Sequence, residues 1–78
     1  MTVPPDSIDI ALSNDEALVL FEWLARFNAQ EREFEDQAEQ RVLWNLEALL
    51  ETRVPQLFST DYATRVAEAR SRVRDAVD

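Results

Sequence analysis

The chain has 78 residues, with 16 acidic and eight basic side chains and a formal net charge of −8. Every basic residue is Arg, and Lys, His, Cys and Gly are absent, which removes disulfide and thiolate sites, His-based acid–base chemistry, Schiff-base lysines and Gly-rich phosphate cradles. The length allows a single domain, and a hydrophobic content of 46 % is too high for a solvated acidic tail.

Residues 1–6 read as an extended lead-in, since Pro4 and Pro5 favour polyproline geometry. This segment has no basic residue and no apolar core, so it does not read as a signal peptide. The longest apolar run, Ala17 to Ala25, is interrupted by Glu22 and is far shorter than the ~20 residues that span a bilayer. A surface of this charge is repelled by anionic lipid and by phosphate backbones. The expectation is a cytoplasmic protein that binds neither membrane nor nucleic acid.

From residue 7 to residue 78 the pattern is that of one helical domain. Ile8-Asp9-Ile10-Ala11-Leu12 alternates with period two and contains two β-branched residues, which predicts a short strand over 8–12. The alternative is an extended arm that lays three apolar side chains on the helices. Ser13 and Glu16 stand at the spacing of a capping box, and helix 1 is predicted from about 14 to 28. Its apolar residues, Leu18, Leu20, Phe21, Trp23, Leu24 and Phe27 among them, cover well over half the circumference, leaving a polar line at Asp15, Glu22 and Arg26. Residues 29–35 are charged and read as a connection.

Helix 2 is predicted from about 35 to 53. Ala38, Val42, Leu43, Leu46, Leu49 and Leu50 form one apolar arc of roughly 140°, and Trp44 stands on the opposite, polar face. Val54-Pro55 ends it. Leu57 and Phe58 are apolar for a loop and are expected to be tucked in; Ser59 is the expected cap of helix 3, about 60 to 77, with Phe58 and Ala63 as a hydrophobic staple. Tyr62, Val66, Ala69, Val73 and Ala76 make a narrow 4-3-4-3 seam flanked by arginines. Residues 1–52 hold 12 acids and three Arg (−9), and residues 53–78 hold four acids and five Arg (+1). That asymmetry predicts that helix 3 lays its Arg flanks against the acidic faces of helices 1 and 2.

The fold expected is mainly α: a short N-terminal strand followed by three helices, with the strand paired across a homodimer two-fold. A lone strand has two unpaired edges, and an antiparallel copy satisfies one of them. Helix 1 carries more apolar surface than one neighbour covers, which points to the same dimer. The alternative for its second side is cover by the N-terminal segment and the Leu57-Phe58 loop. Trp44 is either an interface residue or covered by helix 3 and the 54–58 loop. The candidate interface is therefore Ile8, Ile10, Leu12, Leu18, Phe21, Trp23, Phe27 and Trp44.

Catalysis is not expected. The serines have no His or Lys to activate them. A carboxylate site for Mg²⁺ or Mn²⁺, as in helical nucleotide hydrolases, is the rival reading; Glu35, Asp36 and Glu39 lie within one turn, and Glu47 and Glu51 are an i,i+4 pair. These acids look dispersed over solvent-facing surface, so no catalytic, cofactor-binding or metal-ligating residue is assigned. Strand, helix, helix is also the order of a ribbon-helix-helix dimer, but Asp9 and Ala11 would occupy the DNA-reading positions, which rules out that use. The expected function is a non-catalytic protein-interaction module, such as an acidic antitoxin, immunity or inhibitor-type protein, with a basic protein partner not identified by the sequence.

The segments LSNDEALVLFEWLARF (Leu12 to Phe27) and EDQAEQRVLWNLEALLE (Glu35 to Glu51) resemble a group of short, acidic, uncharacterised bacterial proteins, with similarity over most of residues 8 to 74. The resemblance implies a shared fold and no activity. The all-Arg basic usage fits a high-GC genome.

Overall fold

A computed structural model describes residues 6–31, 33–54 and 60–76. Three helices follow one another: α1 (Asn14–Asn28), α2 (Gln37–Glu51) and α3 (Tyr62–Arg74). Helix α1 has the predicted bounds. Its start is the predicted capping box: the Glu16 amide donates to Ser13 Oγ (3.0 Å) and the Ser13 amide donates to Glu16 Oε1 (2.9 Å). Two of the four unsatisfied amides of the helix start thereby find acceptors. The predicted Glu22–Arg26 pair is formed at 2.8 Å.

Helix α2 is shorter than its apolar pattern. Asp36 caps it, accepting the Ala38 amide at 2.7 Å, and Glu39 Oε1 accepts the Glu35 amide at 3.1 Å. Glu35, Asp36 and Glu39 thus occur together because acids suit a helix start. The helix stops at Glu51, where the Thr52 hydroxyl donates to Leu49 O at 2.8 Å and Val54 turns inward to become buried. Helix α3 begins at Tyr62 with Asp61 as its N-cap and no side-chain cap bond. Ser59, Phe58 and Leu57, the expected cap, staple and tucked loop, lie outside the described residues. The C-caps Ala29, Thr52 and Asp75 have φ of −77°, −81° and −94°, and none of the described residues has positive φ. A chain without glycine ends its helices without left-handed residues, which cost least at glycine.

Helix α1 is the central element. It packs against both α2 and α3, which make at most marginal contact with each other. Asp15, in the first turn of α1, bonds Arg72 near the end of α3, so these two helices run antiparallel with their ends tied. The core is Leu18 and Leu24 of α1, Leu50 of α2, Val54, and Val66 and Ala69 of α3. Ala17, Val19, Leu20, Phe21, Leu43, Leu46 and Tyr62 pack against it in part. Each fully buried leucine contributes about 1.5–3 kcal/mol. Helix α3 therefore covers part of the second apolar side of α1, while Trp23 of the same helix stays about half exposed. Leu18, expected at an interface, is 1 % exposed and belongs to this core; Phe21 also packs against it.

No strand occurs among the described residues. Residues 7–12 run without regular structure, and Ile8 and Ile10 are 86 % and 80 % exposed. They are neither a paired strand nor an arm laid on the helices. The physical reason is that a single strand has no ladder partner in its own chain.

Candidate functional site

Helix α2 buries a side that is turned away from the centre of its apolar arc. Leu43, Leu46 and Leu50 face inward, with Gln40 and Glu47 half-buried beside them, while Ala38, Val42 and Leu49 are exposed. At 100° per residue, the buried side is turned by about 60–70° from the centre of the apolar arc. Asn28 of α1 bonds to that side. Its Nδ2 donates to Glu47 Oε1 at 2.7 Å and to Leu43 O at 3.4 Å, which draws the Glu47 side of α2 against α1. Asn28 Oδ1 is buried with no hydrogen-bond partner in the structure, so the tie carries a polar cost. Pattern reading missed Asn28 because one asparagine at a helix end signals a cap, not a bond to a helix 15–19 residues away.

Several large apolar side chains remain exposed on this acidic chain. Three apolar areas contribute. The first is the N-terminal segment with Ile8, Ile10 and the partly covered Leu12. The second lies at the end of α1, where Trp23 stacks on Phe27 (centroids 4.8 Å apart) and Phe27 meets the edge of Phe34 at 6.1 Å. Trp23 stays about half exposed, and Phe27 is half-buried between its two neighbours. The third is the outside of α2, with Val42 and Leu49; Trp44, 48 % exposed, stands apart from them, about 140–160° round the helix. Neither helix 3 nor Val54 closes over Trp44.

Two polar depressions lie beside α3. One, of about 500 Å³, is lined by Ser13, Asp15, Glu16, Arg72, Val73 and Ala76. Here Arg72 forks onto Asp15 with bonds of 2.7 and 2.9 Å. The hydrogen bond from Arg72, and then its charge, hold the Asp15 carboxyl below its ordinary range against the opposing effect of desolvation, and the same contact raises Arg72. The other, of about 240 Å³, is lined by Glu22, Tyr62, Ala63, Val66 and Arg70. Burial first, and then the charge and hydrogen bond of Glu22, push the Tyr62 hydroxyl up. Among the described residues no group of three acids is gathered to hold a metal ion, and none of their helices is long and apolar enough to cross a membrane.

Among the described residues Arg72 crosses to Asp15 of α1, as the predicted docking of Arg flanks requires, while Arg65 pairs with Asp61 and Arg74 with Asp75. No family model matches the chain, and neither a curated protein nor a solved structure matches it.

Proposed function

We propose that this chain is a non-catalytic protein-interaction module of the antitoxin, immunity or inhibitor type, working in the cytoplasm and resembling other short, acidic bacterial proteins. Its partner is a basic protein. The observation that carries the reading is the apolar surface left open on an acidic chain: half-exposed Trp23 and Trp44 among carboxylates that are not gathered into a site. Half-buried tryptophans are frequent binding anchors, and a surrounding negative field steers a basic partner.

The same reading includes a homodimer in which residues 8–12 of two copies pair as antiparallel strands. Ile8 and Ile10, exposed and at period two, supply the support: pairing would give their backbone a ladder and their side chains a shared face. The Asp36 and Glu39 carboxylates already accept backbone amides at the start of α2, which counts against the Mg²⁺ or Mn²⁺ hydrolase reading.

The test is affinity capture from native lysate with wild type and Trp44→Ala, at low and high salt. The module reading expects one saturable partner whose retention falls with salt, because exposed charge is screened within about 10 Å at 0.1 M. No saturable partner at either salt, with the helical spectrum intact, removes it. Sedimentation equilibrium at micromolar concentration tests the dimer, and a 9.0 kDa species alone removes it.

A further inference from the structure

The ring row at the end of α1 stands beside an acidic stretch of chain. Trp23 stacks on Phe27, and Phe27 meets the edge of Phe34. Phe27 covers one face of the Trp23 indole, yet Trp23 is still 45 % exposed. Phe34 lies between Glu33 and Glu35, with Glu31 just before them, and all three carboxylates are exposed. None of the three forms an ion pair among the described residues. Arg26, one turn along α1 from Trp23, is already paired with Glu22 at 2.8 Å. Residues 31–41 hold five acids and two Arg, for −3.

These carboxylates restrict what can cover the rings. An apolar partner would take Glu31, Glu33 and Glu35 out of water without a counter-charge, which is strongly unfavourable. Another acidic surface is repelled, and a second copy brings a net charge of −8. A cationic segment meets both halves of the surface. A guanidinium can lie flat on an indole face and can also fork onto a carboxylate, whereas an ammonium is a compact, strongly hydrated charge. Trp44 has no second ring against it among the described residues.

We propose that the Trp23–Phe27–Phe34 row seats an arginine-bearing segment of the basic partner, with one guanidinium on the Trp23 ring and others paired with Glu31, Glu33 and Glu35. The proposal rests on the interaction-module reading and names where its partner docks. Trp23, not Trp44, is then the anchor of the basic segment.

The chain has two tryptophans, so Trp44→Phe leaves Trp23 as the single fluorescent reporter. The probe is a capped peptide of alternating Arg and Ala, with its Lys counterpart for comparison. The Arg peptide should change Trp23 emission saturably and bind more tightly than the Lys peptide. By calorimetry, Trp23→Ala should weaken binding about tenfold or more, and so should the triple variant Glu31→Gln, Glu33→Gln, Glu35→Gln. The triple variant changes only exposed side chains, so its helical spectrum should match wild type. A control that removes the same charge elsewhere, Asp6→Asn with Asp9→Asn and Glu51→Gln, should bind nearly as wild type. The proposal is overturned if both triple variants lose binding alike, which is net charge alone. It is also overturned if Trp23 emission does not respond, if Trp23→Ala binds as wild type, or if Trp23→Ala abolishes a dimer in sedimentation, which makes a second copy the occupant. In native lysate, a partner captured equally by wild type and Trp23→Ala removes this seat and leaves the module reading standing; absence of any partner removes the module reading itself.

Discussion

Helices α1 and α2 have the same length, 15 residues, and both begin with an acid-rich turn, yet they meet different fates. α1 is apolar around most of its circumference and has two helical neighbours, so Leu18 and Leu24 vanish from the surface. α2 has the cleaner apolar arc but one main neighbour, and leaves Val42 and Leu49 in solvent. The contrast teaches that apolar content fixes how much a helix would gain by burial, while the number of neighbours fixes how much of that gain is realised.

The strongest way to break this comparison is to truncate one leucine from each helix. Leu24→Ala, at a residue with no exposed surface, should cost about 2–5 kcal/mol of unfolding free energy in urea titrations, whereas Leu49→Ala should cost less than about 1 kcal/mol in the monomer. Equal losses would mean that α2 is buried on both sides.

Asn28→Ala sharpens the comparison, since Asn28 ties the Glu47 side of α2 to α1. Loss of the donor leaves half-buried Glu47 without that bond and should cost about 1–3 kcal/mol. Amide exchange in α2 should quicken more than in α3. Asn28→Asp should cost more than Asn28→Ala, because it sets a second carboxylate against Glu47.

Ser13→Ala removes the capping acceptor of α1 and should cost about 1 kcal/mol, with fraying confined to the first turn by amide exchange. The central helix should survive this loss, being held from two sides.

The smallest expected effects are titrations at the α1–α3 contact. Asp15 is lowered from its ordinary 3.8. Its contribution is therefore present above pH 3.8 and is lost as pH falls through the lower folded-state value. Asp15→Asn should flatten that part of the acid limb of stability against pH. Tyr62 is raised from 10.0, so its contribution is present below pH 10.0 and is lost as pH rises through the folded-state value. Tyr62→Phe should flatten the alkaline limb. Neither substitution should disturb the α1–α2 contact.

Much of the local structure was legible without coordinates. The α1 bounds, its Ser13–Glu16 box and the Glu22–Arg26 pair are written in residues one turn apart, where interaction depends on nearest helical neighbours. The ends of α2 and α3 fell inside their predicted spans. Helix ends fray, and apolar periodicity continues past the last bonded turn. The strand over 8–12 was legible as alternation, but a strand exists only with a partner, and alternation names none.

Sequence by itself determined the side-chain chemistry this chain lacks and the three helices. Only the tertiary structure decided that α1 is the centre, that Leu18 is core, and that α2 turns Val42 and Leu49 outward. The reason is the range of the forces. Caps and i,i+4 pairs act within a turn and can be read from spacing. Which side of a helix is covered depends on long-range contacts such as Asn28 with Glu47 and Arg72 with Asp15. Those contacts join residues 19 and 57 positions apart in the chain, and no local spacing encodes them.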